Sequence, residues 1–532
     1  MSHPRRIRTA AAVLLAVSLT LSACTPGSND APEQAVASLT FAGNEPDHLT
    51  PANSQMASYH VQALFSSLTY ADQDGKLSML AADSVTSSDA INWTIKLKPG
   101  WTFHDGSPVT AQNYVDSWNA VAYGPNAWAY NGNMSNIAGY ADLNPAEGQP
   151  ATKTMSGLKV VDETTFTVTL AKADGQFPVQ LTQNMFAFYP MPAAAFSDPA
   201  AYDRMPIGNG PYKMTKPWQA NEPVTVTAYE QFAGEKPSVK EFVFKPYLDM
   251  GAAYTDAQAG NIDLMFVPQD KTSVGATDFP DRLHRVALPG ESYLAFPSND
   301  PRYADKRVRQ AFSMAIDRDA VNKAVFSGLN KPATAFTVAW LPGTPEGVCG
   351  KFCTFDPQAA KALLAEAGGF SGKVELVYPG GAGMDTEYQA YANQLRQNLG
   401  LEDVTVAPTT GFADFLTPRA KGEMKGPFFS YWGAPYPSQQ NTLREMFTAK
   451  GLCAGCALPL DPRVAVAIDA ANSELDQEAA KKGYAKAQEL IAETFPVAPL
   501  FDNSGDFYTS EKIAELPFSG GYPVMAHIKA AS

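Results

Sequence analysis

Regular alternation of strand-like and helix-like segments predicts an α/β fold, and the length predicts that it is divided. The chain has 532 residues, too many for a single hydrophobic core and typical of two or three domains. Hydrophobic residues at 45% and charged residues at 18% are the proportions of an ordinary globular protein.

Several segments carry the α/β reading. Asn92–Lys98 alternates Trp93, Ile95 and Leu97 with polar residues, the period of a half-buried strand. Pro99-Gly100 turns it, and Thr110 is placed to N-cap a helix carrying Tyr114, Val115 and Trp118. Phe166–Leu170 and Val224–Tyr229 alternate in the same way. In Arg307–Ile316, Val308, Ala311, Phe312, Ala315 and Ile316 fall on one helical face, leaving Arg307 and Arg309 to solvent or carboxylates. Asp317 reads as the cap of a second helix whose apolar positions are Ala320, Val321, Ala324 and Val325. Asp356-Pro357 opens another helix and Gly368-Gly369 closes it. Phe103-His104-Asp105-Gly106 and Gly208-Asn209-Gly210 read as turns, with His104 a surface or turn residue.

The N-terminus reads as an export signal. Arg5, Arg6 and Arg8 precede the apolar run Ala10–Leu21, which ends at Leu21-Ser22-Ala23-Cys24. The run is shorter than the ~20 residues of a membrane-spanning helix. Leu-Ser-Ala-Cys resembles the lipobox of bacterial lipoproteins, which implies that residues 1–23 are removed and Cys24 is acylated. The polar, Pro/Gly/Ser-rich segment 24–36 then reads as a flexible tether. The expected location is the extracytoplasmic face of the cell membrane.

Charge and motif content narrow the chemistry. The whole chain carries net −14, and without residues 1–23 and their three Arg it carries −17. So acidic a chain without a basic cluster is a poor partner for nucleic acid. The six His have no metal-ligand spacing, and there is no H-E-x-x-H, G-x-S-x-G or phosphate-binding P-loop. No catalytic residue, metal or cofactor is expected. Beyond Cys24 the cysteines are Cys349, Cys353, Cys453 and Cys456. Outside the cytosol they read as disulfides. Local pairs Cys349–Cys353 and Cys453–Cys456 are favoured because Gly350 and Gly455 relax each loop; cross-pairing and a zinc site are the alternatives.

Trp93–Trp118 (WTIKLKPGWTFHDGSPVTAQNYVDSW) resembles a signature of the family 5 extracellular solute-binding proteins, the oligopeptide/dipeptide group. In the same order follow further similarities: Asn44–Pro51, Pro206–Lys213 (PIGNGPYK), Arg307–Leu329, Tyr431–Leu443 (YWGAPYPSQQNTL) and Phe495–Phe501. The resemblance implies a two-lobed, periplasmic-binding-protein-like α/β fold (type II, with an additional inserted domain) that closes on its ligand by a hinge. Mapped here, lobe one is 37–60, 205–290 and 495–532; the insert is 61–204; lobe two is 291–494. It also implies a monomeric, non-enzymatic binder of oligopeptides working with ABC permease and ATPase subunits. An oligosaccharide, opine or metal chelate is the alternative solute, and a ligand-sensing receptor or enzyme the alternative role.

One motif departs from the pattern. Peptide-binding relatives commonly carry an Asp that grips the ligand's ammonium group, and here Pro435 stands at that position. Glu45 or Asp47 are candidate replacements. Tyr431, Trp432, Gly433, Ala434, Pro435 and Tyr436 are expected at the cleft. Trp128 and Tyr130, in an aromatic and amide-rich stretch, are candidates to line it, and Arg419 is a candidate partner for a ligand carboxylate.

Overall fold

The computed structural model describes residues 38–451, 453, 455 and 459–531, all within one compact unit. The export signal, the tether with Cys24, and Cys456 lie outside the described residues.

Among the described residues, eleven strands form one sheet: β1 (Leu39–Gly43), β2 (Tyr212–Met214), β3 (Val224–Ala228), β4 (Glu241–Pro246), β5 (Leu264–Phe266), β6 (Leu283–Ala295), β7 (Lys331–Pro332), β8 (Val374–Tyr378), β9 (Val404–Pro408), β10 (Phe428–Gly433) and β11 (Val497–Thr509). Their order is β9-β8-β10-β6-β11-β5-β1-β4-β3-β2, with β7 also on β11. The two central strands, β6 and β11, are antiparallel and 13 residues each, long enough to reach about 40 Å. Their halves belong to different cores. Tyr293, Leu294, Ala295, Val497, Ala498, Leu500 and Phe501 pack with β8, β9 and the helices of 306–399. Phe507 packs with β1–β4 and with Phe518, Met525 and Ile528 of the C-terminal segment.

A third core lies in residues 52–188. Its four-stranded antiparallel sheet has the order 82–86, 92–97, 165–169, 158–160. Asn92–Leu97 buries Trp93, Ile95 and Leu97 and exposes the residues between them. Helix Ala111–Ala122 covers this sheet, stacking Tyr114 on Phe166 and setting Trp118 edge-on to it. At the helix start the Asn113 side chain accepts from the Thr110 amide at 2.8 Å. Phe186, Tyr189, Met191, Ala195 and Tyr202 pack instead with the core around β1–β4.

Other expected elements form with shifted detail. Asp317 caps helix Arg318–Val325, accepting from the Ala320 amide at 2.9 Å. That helix, however, buries Arg318, Val321 and Asn322 while Ala320 and Ala324 are exposed. The Arg318 guanidinium satisfies the carbonyls of Ser313 and Pro499, so a charged residue takes a core position that apolar periodicity would assign to Ala. Arg309, expected to meet solvent or carboxylates, is likewise 2% exposed and donates instead to carbonyls of Phe495 and Ala304. Arg307 does pair with Asp305, at 2.7 Å. His104 lies in its predicted turn and also acts as a strut. Its Nδ1 accepts from the Gly208 amide at 3.1 Å and its Nε2 meets Gly210 O at 3.2 Å, joining the two predicted turns. A Cβ on Gly208 would run into Leu64 O, so the second turn is a close crossing of chains.

Cys349 and Cys353 are disulfide-bonded, which gives the expected local pair and excludes cross-pairing for these two. Cys453 is also disulfide-bonded.

Candidate functional site

The register of the central strand pair breaks between Ala287 and Glu291. Leu288-Pro289-Gly290 occupies the break, and Pro289 has no amide hydrogen to give to a ladder. On the other side of β6, Gly290 faces Gly433, the last residue of β10, and Glu291 faces Trp432. Beyond β10 the Ala434 amide returns to Pro289 O at 2.7 Å. Thus the backbone of 431–434 is held against the point where the long strands pass from one core to the next.

The C-terminal hairpin also reaches this point. The hairpin carrying Phe518–Ser519 and Tyr522–Pro523 brings Gly521 close to Ala287 O and Leu288. Tyr522 then borders a mostly apolar cavity of about 310 Å³ with Phe41, Tyr59, Phe244, Phe266 and Leu288. His60 lines the same cavity; burial lowers it to about 3, so the ring is neutral, and its Nδ1 has no hydrogen-bond partner. Trp340, which lies beside Gly520 of the same hairpin, donates from Nε1 to Gln73 O at 3.0 Å, and Gln439 Nε2 donates to Pro342 O at 3.1 Å. A second cavity, about 250 Å³, lies among Gly75, Gln176, Pro342, Pro437, Gln439 and Tyr484.

The electrostatics concentrate on two acids. Glu291 is 1% exposed and neither carboxyl oxygen has a hydrogen-bond partner. Burial, then the charge of Asp502, pushes it well above the ordinary carboxylate range, with Tyr293 pulling the other way. Asp502 is its cross-strand neighbour on β11 and is pushed up to about 6 by burial, against the Ala339 amide and the Lys331 charge. Sequence reasoning passed over both. A single acid inside an apolar strand such as VAPLFDNSGDF carries no periodic signal, and the pairing of residues 211 positions apart exists only in the register.

The residues singled out from sequence fall in three places. Tyr431, Trp432, Gly433, Ala434 and Pro435 gather at the strand junction. Tyr431 is 40% exposed and its hydroxyl lies beside Gly290; Trp432 Nε1 donates to Asn441 Oδ1 at 2.7 Å. Tyr436 turns away into the core of residues 52–188, its hydroxyl donating to Gln440 at 2.9 Å. Trp128 and Tyr130 pack on two cores, Trp128 bordering a cavity of about 380 Å³ with His48, Asn53 and Asp203. Arg419 sits over the Phe415 ring, 5.7 Å from its centroid. Glu45 Oε1 accepts from Trp218 Nε1 at 3.0 Å and the Asn221 amide at 3.1 Å, while its Oε2 is buried without a hydrogen-bond partner. Asp47 accepts from the amides of His48, Gln55 and Met56, an ordinary loop tie. Among the described residues no cluster of three or more His, Cys, Asp or Glu is arranged to hold a metal, and no helix is long and apolar enough to cross a membrane.

A central sheet whose two longest strands join separate cores is the architecture of a two-lobed protein. The chain belongs to family 5 of the bacterial extracellular solute-binding proteins, whose middle region matches residues 77–452. It is 26% identical over 483 residues to the periplasmic murein peptide-binding protein MppA of Escherichia coli, covering 87% of this chain and 86% of that protein. It is 26% identical to the periplasmic oligopeptide-binding protein OppA of Escherichia coli, covering 86% and 84%. The unliganded open form of the murein tripeptide-binding protein MppA superposes with a TM-score of 0.78 at 24% identity, over 93% of this chain and 95% of that one. OppA of Haemophilus influenzae in complex with the peptide RPPGFSPFR gives 0.70 at 19%, over 92% and 97%. The fold is therefore the two-lobed α/β binding-protein fold expected from the sequence.

Proposed function

We propose that this protein captures oligopeptides outside the cytoplasmic membrane and delivers them to the permease and ATPase subunits of an ABC importer, without altering them chemically. The observation that carries the reading is the family match across residues 77–452, joined to relatives named for peptide binding over most of both chains. On this reading lobe one is 37–60, 205–290 and 495–532, the inserted domain 61–204 and lobe two 291–494, with closure at Leu288-Pro289-Gly290 and the facing Asp502–Ser504. Such a site gains affinity from backbone hydrogen bonds and from wet pockets that tolerate varied side chains. Gly433, exposed at the end of β10, leaves backbone free for an extended peptide. Acylated Cys24 and the tether 24–36 hold a monomer at the membrane.

A thermal-shift panel tests the ligand class. Peptides of three to five residues raise the melting temperature and are recovered unchanged by mass spectrometry; stabilisation by cello-oligosaccharides alone rejects the peptide assignment, and turnover rejects the non-enzymatic one. The anchor is checked separately by the mass of the mature N-terminus, which carries acyl chains on Cys24.

A further inference from the structure

Cross-strand pairing places Glu291 opposite both Trp432 and Asp502, and Tyr293 opposite Ser430. Residues opposite one another, or two apart along a strand, share a face of the sheet, so Glu291, Asp502, Ser430, Trp432 and Tyr293 stand on one face. Directly opposed side chains have Cβ atoms only about 4.5–5.5 Å apart. On this face three buried oxygens have no hydrogen-bond partner: Oε1 and Oε2 of Glu291 and Oγ of Ser430. The neighbouring Tyr293 hydroxyl acts on Glu291 electrostatically but donates its hydrogen bond to Phe336 O at 3.2 Å. Asp502 accepts a single hydrogen bond among the described residues, from the Ala339 amide at 3.3 Å. No Lys, Arg or His among the described residues forms an ion pair with either acid; Lys331, next to Asp502 on β7, acts on it only at longer range.

A buried carboxyl without a partner is costly to keep, and two side by side more so. What satisfies them is a compact cation rich in donors. A primary ammonium offers three N–H groups and no acceptor, matching the orphaned oxygens. Solvent lies beside the pair: Ala339 and Gly433 are exposed, and Trp432 and Asp502 are part-buried.

We propose that Glu291, assisted by Asp502 and Ser430, is the anchor for a primary ammonium group of the ligand. It takes the place of the acid that Pro435 does not supply. This rests on the peptide-binding reading above and deepens it: the ligand enters with an amino group at the junction of β6, β10 and β11. The ammonium can come from the peptide's N-terminus or from a lysine side chain.

The test uses the full mature protein, freed of carried ligand, with three probes: alanine peptides of three to five residues, the same peptides acetylated at the N-terminus, and acetylated peptides carrying one lysine. In the wild type, acetylation of the alanine peptides weakens binding tenfold or more. Recovery of that loss by the acetylated lysine peptide assigns the site to either ammonium; no recovery assigns it to the N-terminus alone. In Glu291→Gln the free and acetylated alanine peptides bind within about twofold of each other, and Asp502→Asn gives the same direction should Glu291→Gln fold poorly. The ligand-free melting temperature of Glu291→Gln stays at or above that of the wild type. Wild-type binding indifferent to acetylation, or discrimination kept in both variants, overturns the anchor while leaving peptide binding intact. No binding of any of these peptides, free or acetylated, overturns the peptide reading itself.

Discussion

Asp174 Oδ1 accepts a hydrogen bond from Gln440 Nε2 at 2.8 Å, tying the core of residues 52–188 to helix Gln439–Phe447 across 266 positions of sequence. The carboxylate is 3% exposed and also accepts from Gln180 Nε2 at 2.8 Å and the Gln176 amide at 2.9 Å; Gln180 in turn donates to Gln440 at 2.9 Å. Truncation to alanine leaves three buried N–H donors without their acceptor, at about 1–3 kcal/mol for an unsatisfied group, offset in part by removal of the buried charge. Asp174→Ala is therefore expected to lose about 2–4 kcal/mol in urea unfolding. Asp174→Asn, which keeps one acceptor and sheds a buried charge, loses less. Equal stability of Asp174→Ala and wild type refutes the latch.

The strut at His104 makes a pH prediction. Burial lowers the ring from 6.5 to about 4, with the Lys213 charge adding to it and the Gly210 carbonyl and Asp105 opposing. Its Nδ1 accepts from the Gly208 amide, which a protonated ring cannot do. Between pH 6.5 and 4 the unfolded chain binds a proton that the native state refuses, so stability rises with pH across that window. The contribution is complete above 6.5 and is lost as pH falls through 4, at most about 3 kcal/mol for a shift of this size. His104→Ala is expected to lower stability at pH 7 and to flatten this part of the unfolding profile; a slope as steep as that of the wild type counts against the strut.

What was legible in the chain follows from what is local. Strand alternation at Asn92–Leu97, the caps at Asp317 and Asp356, and the Cys349–Cys353 loop each depend on neighbours a few residues away, and each formed. The motif 431–435 also landed at the strand junction, because an ordered set of family motifs carries topology that composition does not. Charged residues were read less well. Arg309 and Arg318 are buried by carbonyls contributed from Phe495 and Pro499, nearly 190 residues away, and nothing local announces such cages. For the same reason the acids nearest the junction went unseen, while Glu45, conspicuous in a matching loop, proved to be bonded to Trp218.

Glu45 supplies its own test. With Oε1 shared between the Trp218 indole and the Asn221 amide, removing the carboxylate strips two donors of their acceptor. Glu45→Ala is expected to lower stability by about 1–3 kcal/mol and to leave peptide affinity within about twofold. A large loss of affinity at unchanged melting temperature places Glu45 in the binding site.

Asp502 titrates in the opposite sense to His104. Its pKa is pushed from 3.8 to about 6, burial being the main cause. From about pH 4 to pH 6 the native state keeps a proton that the unfolded state has released, so stability falls as pH rises through this window. A shift of this size corresponds to about 3 kcal/mol as an upper bound, reduced by the solvent that reaches a part-buried group. Asp502→Asn cannot ionise, so it is expected to remove this fall and to be the more stable protein at pH 7 in the absence of ligand. His60 and His104, both lowered, tilt the wild-type profile the other way over an overlapping range. The informative quantity is therefore the difference between Asp502→Asn and wild type, measured by urea titration at steps between pH 4 and pH 7. That difference grows with pH up to about 6 and then levels. A difference independent of pH places the ionisation of Asp502 at its ordinary value and removes the electrostatic strain that a bound cation would relieve.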